Sequence, residues 1–281
     1  MNVLNIPVSS RLQALWRSWL APSRQPFFLT PEEACRLALP TVARSEVPLT
    51  PEERDTNALW NISAQASRVA WLGPDDWAAL DPGVRREVLR LQVQHGRGNI
   101  PRRRDYADLL PGLPEVRFLW TPDLLTDAGL GRVISRGGPG CHKPQVPQGV
   151  WKAASASLPR VQELAGSFAG HSGANCFGAV MGAAGIAGAE SEWMQRGPFE
   201  AFVRARTRPG GADDRPGTVL IWRSADGLLQ HAALTLGGGW AFHKASQVWT
   251  SPRLILPVAD LKRVARERGR RLTRRTLIPA R

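Results

Sequence analysis

The sequence predicts an α+β protein: a mainly helical region over residues 1–145, then a second region, 146–281, in which helices give way to a meander of strands. Three observations predict it. Helix-start signals with helical apolar spacing recur in the first half, a Gly/Ala-rich helix opens at Cys176, and three or four strand-length segments crowd into residues 217–258. Helices first and strands after is the α+β order. A chain of 281 residues with 43% apolar side chains can bury one large core or two modest ones.

The first helix is expected over residues 10–20, where Leu12, Leu15, Trp16 and Trp19 recur at helical spacing. Thr30-Pro31-Glu32-Glu33 starts another: a Thr cap, Pro at the first helical position, then acids at the positive dipole end. Asp81-Pro82-Gly83 opens a third, carried by Val84, Val88, Leu89 and Leu91 to about His95. Residues 101–105 and 135–140 read as loops by their breakers and charge. Residues 143–149, with Pro144 and Pro147, read as a linker, and the domain boundary is placed there.

Beyond it, helices are expected over residues 158–169, from Cys176 onward, and over 198–206. Strands follow at 217–223, 228–236 and 240–246, with 253–258 as a fourth, before a basic helix at 259–268.

Composition narrows the function classes. No run of about eighteen apolar residues appears, which argues against a membrane span. Residues 1–7 lack a basic stretch followed by a long apolar one, so they do not read as a secretory signal. Three cysteines form a sparse, odd set unlike a disulfide framework, and a cytoplasmic location is expected. The net charge of +13 favours polyanions in principle. It is nearly all arginine, with lysine only at 143, 152, 244 and 262, and beside 27 Gly and 23 Pro it reads as codon bias. The basic C-terminal region, Lys262 to Arg281, is the one place where nucleic acid is a candidate partner. No zinc finger, RNA-recognition signature or phosphate loop accompanies it.

Chemistry concentrates around Cys176. A thiol at a helix N-terminus faces unpaired N–H groups and the positive dipole end, which favour thiolate. Two histidines follow on a predicted hairpin. His231 shares a strand face with Ala233 and Thr235, and His243 with Ala241 and Ala245. If Gly237-Gly238-Gly239 forms a three-residue loop, Ala233 pairs with His243 and the two imidazoles become diagonal neighbours; a two-residue loop puts them on opposite faces. One imidazole can take the thiol proton while a second polar group orients it. Asn175, His171 and Trp240 are expected to line the substrate pocket. Cys141-His142 is a rival pair, poorly preorganised on a Gly/Pro loop. Cys141, His142, His171 and Cys176 are metal-ligand types without a recognised spacing, and the chemistry requires no metal or other cofactor.

The order Cys176, His231, His243 resembles the NlpC-like branch of papain-like cysteine peptidases, and the CHAP amidases are similar. Pro216-Gly217-Thr218-Val219-Leu220-Ile221-Trp222 resembles that family's Pro-Gly-Asp-hydrophobic strand, and His231-Ala232-Ala233-Leu234-Thr235-Leu236-Gly237 its His-Val-Gly-Ile-Tyr-Leu-Gly strand. The likeness covers roughly residues 161–258. Asn175 stands for the family's Asp, Phe177 for its Ser and Thr218 for its strand Asp; the tyrosine before the cysteine is absent. The resemblance implies a papain-like domain whose nucleophile helix packs on an antiparallel sheet. It implies a Cys-His-His hydrolase or acyltransferase, with Cys176 attacking an amide, ester or thioester of a small-molecule or peptide-like acyl substrate. His231 is then base and acid, and His243 its orienting partner. Two alternatives stay open: a basic nucleic-acid-binding protein on an inactive papain-like scaffold, and a cell-wall peptidase. The role of residues 1–145 and the oligomeric state are not specified by the sequence.

Overall fold

Ser9, Thr30 and Asp81 each cap a helix where the sequence places one. Ser9 accepts from the Leu12 N–H at the head of Ser10–Leu20, and Asp81 from the Gly83 N–H at the head of Pro82–Gln94. Thr30 and Glu33 exchange hydrogen bonds in a capping box above Pro31–Arg36. Each such cap is worth about 1 kcal/mol. The computed structural model describes residues 1–113, 116–136 and 138–278. Gly137 of the expected 135–140 loop, and residues 279–281 of the basic region, lie outside the described residues.

The chain divides into two units, one of Met1 and Val8–Val133, the other of Asn2–Pro7 and Ile134–Arg281. The division falls before the Pro144–Pro147 stretch, which folds within the second unit: Val146 is buried, and Lys143 Nζ donates to the Ala165 carbonyl.

The first unit is less helical than its sequence suggests. Arg68–Leu72 is the centre of a three-stranded antiparallel sheet, flanked by Gln25–Leu29 and Val42–Ala43. Gln25–Leu29 is buried at every position, so it shows no apolar alternation, and Pro26 reads as a breaker. On its open edge the Gln92 amide completes the ladder: Nε2 donates to the Phe28 carbonyl and Oε1 accepts the Phe28 N–H, at 2.9 and 2.7 Å.

The second unit is built on a six-stranded antiparallel sheet in the order Arg253–Pro257, Trp240–Lys244, Leu229–Gly237, Pro216–Arg223, Arg271–Leu277, Thr207–Pro209. Two expectations are corrected here. The helix expected at 158–169 shrinks to Val161–Leu164, closed off by Gly166 at φ +67°. The basic helix expected at 259–268 ends at Val264, and Arg271–Leu277 of the basic C-terminal region is a strand inside the sheet.

The helix from Cys176 is Cys176–Ala183, buried throughout. Its glycines answer to a close neighbour: a Cβ on Gly178 would lie 2.3 Å from the Ala189 carbonyl oxygen, and one on Gly182 would lie 2.7 Å from Glu190 Cβ. The tightest approach is thus to the Ala189–Ser191 turn. Among the described residues, no helix is long and apolar enough to cross a membrane.

Candidate active site

Two glycines, not three, turn the histidine hairpin. Gly237 pairs with Trp240 across Gly238-Gly239, a register that alone would put the imidazoles on opposite faces. A bulge between Thr235 and Gly237 shifts the ladder by one residue, so that Thr235 pairs with Ala241 and Leu234 with Phe242. Extending that register brings Ala233 opposite His243. His231 and His243 therefore share one face. Their rings meet edge to face, with centroids 5.7 Å apart and planes at 88°. Trp222, the cross-strand partner of His231, also meets that ring, with centroids 5.3 Å apart.

Cys176 reaches this place from the other element. Asn175 caps its helix, Oδ1 accepting the Gly178 N–H at 3.0 Å while Nδ2 donates to the Met194 carbonyl at 2.8 Å. An aspartate would keep the cap but offer the Met194 oxygen no proton, which accounts for Asn at this position. Phe177 stacks on Phe199 at 4.5 Å, and Thr218 clips residue 212 through both its N–H and its carbonyl. Asn175, Phe177 and Thr218, three of the four departures from the resembled pattern, thus each have a packing or hydrogen-bonding role.

The backbone N–H groups of Ala232, Phe177 and Cys176 itself favour the charged form of the Cys176 thiol. The helix that begins at Cys176 packs against both histidine strands, Leu229–Gly237 and Trp240–Lys244. No hydrogen bond joins the thiol to either imidazole among the described residues, and both ring nitrogens of His243 are buried without a partner. The His231 ring neighbours are Trp222 and His243.

Burial decides the charge states. It pushes the Cys176 thiol up to about 11, against the pull of the three N–H groups and of Lys244. The expected helix-terminus preference for thiolate is outweighed, because desolvating a charged sulfur costs more than a dipole end returns. Burial likewise pushes His231 down to about 4, with Arg270 adding to it, and His243 down to about 3, with His231 and Lys244 adding. At neutral pH the site holds a thiol and two neutral imidazoles.

The other candidates are less central. His171 is exposed, its Nδ1 donating to the Ser172 carbonyl at 2.7 Å. Trp240 lies three positions from His243 on the same strand, so its side chain takes the opposite face; its ring neighbour is His142, at 5.9 Å. The Asn175 amide is used at both ends by the backbone. The Cys141 sulfur accepts the Ile255 N–H, a structural role. Among the described residues no group of three or more His, Cys, Asp or Glu is placed to hold a metal ion.

Sequence reasoning missed Lys244, which is fully buried with Nζ bonded to the Ser246 and Val248 carbonyls. The signal was present: in Trp240-Ala241-Phe242-His243-Lys244, alternation places the lysine on the face of Phe242. Comparison of the chain with protein-family models, with curated proteins and with solved structures gives no match.

Proposed function

We propose that the second unit is a cysteine-dependent acyl hydrolase or acyltransferase of the papain-like, NlpC-like type, acting on an amide, ester or thioester. The observation that carries this reading is the His243 ring: buried, unpartnered at both nitrogens, and edge to face with a second imidazole, on two strands against which the Cys176 helix packs. Each buried unsatisfied polar group costs about 1–3 kcal/mol, which an apolar side chain of similar volume avoids. Such groups cluster where chemistry needs them.

In this reading the Cys176 sulfur bonds the substrate carbonyl carbon while its proton passes to His231. The carbonyl electron pair moves onto oxygen, where the Cys176 N–H is a candidate donor. Collapse expels the leaving group, which takes the proton from His231 and leaves a thioester on Cys176. Water or another acceptor then attacks, His231 takes its proton, and the sulfur departs and recovers it. With the thiol raised and the imidazole lowered, proton transfer accompanies attack rather than preceding it.

Intact-mass profiling with an electrophilic acyl probe tests this. Wild type is expected to acquire and then release the acyl group, Cys176→Ala to acquire none, and His231→Ala to turn over at a small fraction of the wild-type rate. Equal acylation of Cys176→Ala defeats the reading. A second reading, an inactive scaffold, is favoured by the missing thiol–imidazole bond; it wins if folded wild type takes no acyl group at Cys176.

A further inference from the structure

The sheet of the second unit ends on a pair of arginine-bearing strands. Arg271–Leu277 lies between Pro216–Arg223 and the edge strand Thr207–Pro209, with Arg208 opposite Thr276. Arg275 ties the pair together: Nε donates to Thr207 Oγ1 at 2.6 Å and Nη2 to the Thr207 carbonyl at 3.2 Å. Arg204 occupies the last turn of the helix Arg196–Arg206, which runs straight into the edge strand. Arg266 and Arg268 lie in the turn that leads from the helix Val258–Val264 into Arg271.

Composition accounts for how many arginines the chain has, not for which of them meet acids. Arg17, Arg90, Arg132 and Arg160 each meet a carboxylate, at Asp127, Glu87, Asp108 and Glu163. Arg204, Arg208, Arg266, Arg268, Arg271 and Arg275 form no ion pair among the described residues, and all but half-buried Arg275 are exposed. Asp213 is already taken by Lys262 and Arg274, Asp260 by Arg263, Glu267 by Arg270 and Glu200 by Arg223.

We infer that this edge of the sheet docks the phosphate backbone of a nucleic-acid duplex without reading its sequence. A helix C-terminus favours Arg204, and an exposed edge favours Arg208. Neither accounts for Arg271, which stands directly opposite Arg223, a like-charge pairing that is unfavourable until an anion lies across it. Guanidinium forks match phosphate oxygens in pairs. Arg271 and Arg275 share one strand face about 14 Å apart, a span of several phosphates. Residues 204–209 and 271–277 hold no aromatic side chain to stack on single-stranded bases. Their large apolar side chains, Leu272 and Leu277, are half-buried and buried, which leaves none to enter a bilayer. Two strands separate Arg271–Leu277 from the strand of His243, and the inference does not depend on the thiol chemistry.

Fluorescence anisotropy of a dye-labelled DNA duplex of arbitrary sequence, titrated with full-length protein from about 50 to about 200 mM salt, tests this. Binding is expected to weaken with a log–log slope of about 4 to 5, one phosphate for each arginine engaged. The variant Arg208→Gln, Arg266→Gln, Arg268→Gln, Arg271→Gln is expected to bind about tenfold more weakly at low salt, with the slope lowered by about 3 to 4. A control of equal charge on exposed arginines of the first unit, Arg11→Gln, Arg54→Gln, Arg86→Gln, Arg102→Gln, is expected to keep the wild-type slope. Absence of duplex binding by wild type at low salt overturns the inference, and so does a control that loses as much as the edge variant. Vesicles of phosphatidylserine in phosphatidylcholine are run alongside; binding to these without binding to the duplex overturns it in favour of a membrane surface. Should the fourfold variant unfold, the pairs Arg204→Gln, Arg208→Gln and Arg266→Gln, Arg268→Gln are measured, each expected to lower the slope by about 2. Unchanged slopes in both pairs overturn it.

Discussion

His231 and His243 meet edge to face at 5.7 Å, and the contact exists because a bulge between Thr235 and Gly237 corrects a hairpin that would otherwise part them. The bulge fixes the relative position of two rings that make no hydrogen bond to each other, since both nitrogens of His243 are unpartnered. Their relation is one of placement and shape, held by the sheet. Hydrogen bonding to His231, in the proposed chemistry, waits for a change in that ring's torsions or for substrate.

His243→Leu should therefore stabilise the fold and impair the chemistry. Removing a buried imidazole with two unmet nitrogens is expected to raise stability by about 1–3 kcal/mol. Probe turnover should drop but persist in part, because orienting the base contributes less than the base itself. Urea midpoints and acyl-probe rates measured on the same sample decide; a destabilised Leu variant means the ring has partners the fold depends on.

Stability should fall on both sides of neutrality. His231 and His243 have folded values of about 4 and about 3, below the ordinary 6.5, so on acidification the unfolded chain takes up protons first. Their contribution is complete above pH 6.5 and is lost as pH falls through 4 and 3, on the order of a few kcal/mol for each ring. Cys176 behaves oppositely: with a folded value of about 11 against 9.0, its contribution is present below pH 9 and lost as pH rises through 11. A urea-midpoint profile should be level between pH 7 and 9, with an acid limb that flattens in the double variant His231→Gln, His243→Leu. An unchanged acid limb in that variant assigns it to other groups.

Gly178→Ala and Gly149→Ala should move stability in opposite directions, although both positions are helical. A Cβ on Gly178 meets the Ala189 oxygen at 2.3 Å and the Glu192 oxygen at 3.0 Å, so backbone must shift at a cost of about 1–3 kcal/mol. At Gly149 nothing lies within 4 Å, and alanine should gain about 0.5–1 kcal/mol. Thermal midpoints of the two variants provide the comparison, and like signs would refute it.

Cutting the chain before Arg271 should destroy the second unit. The deleted strand lies between Pro216–Arg223 and Thr207–Pro209 and pairs with both. The truncated protein is expected to be insoluble or to lose its cooperative transition, and a soluble, cooperatively unfolding product contradicts this. Charge reversal at exposed Arg266 and Arg268 leaves the sheet intact, so these positions are the ones at which any polyanion binding should be probed.

Much of this was legible in the sequence wherever the signal was local. Thr30 and Asp81 announced their helices because a cap and a following proline act within one turn. The shared face of the histidines was predicted from a three-residue loop; the structure reaches the same pairing by two residues and a bulge, which no turn rule for Gly-Gly-Gly could separate. What stayed hidden depended on distant partners. Gln25–Leu29 is covered on both faces and so lacks period-two alternation, and the arginines of Arg271–Leu277 masked a strand that its neighbours recruit. The thiol's raised value was also out of reach, because it follows from how completely the rest of the unit covers Cys176.

The Gln92 amide has a consequence for how copies of this chain behave in a crowded solution. An edge strand of five residues offers unpaired N–H and C=O groups to any other extended chain, and Gln25–Leu29 carries two phenylalanines that make it adhesive. By bonding both backbone groups of Phe28, Gln92 stops strand addition at the fourth residue of that edge. A single side chain from a helix thus serves as a chain terminator for the sheet, protecting it from growth between molecules.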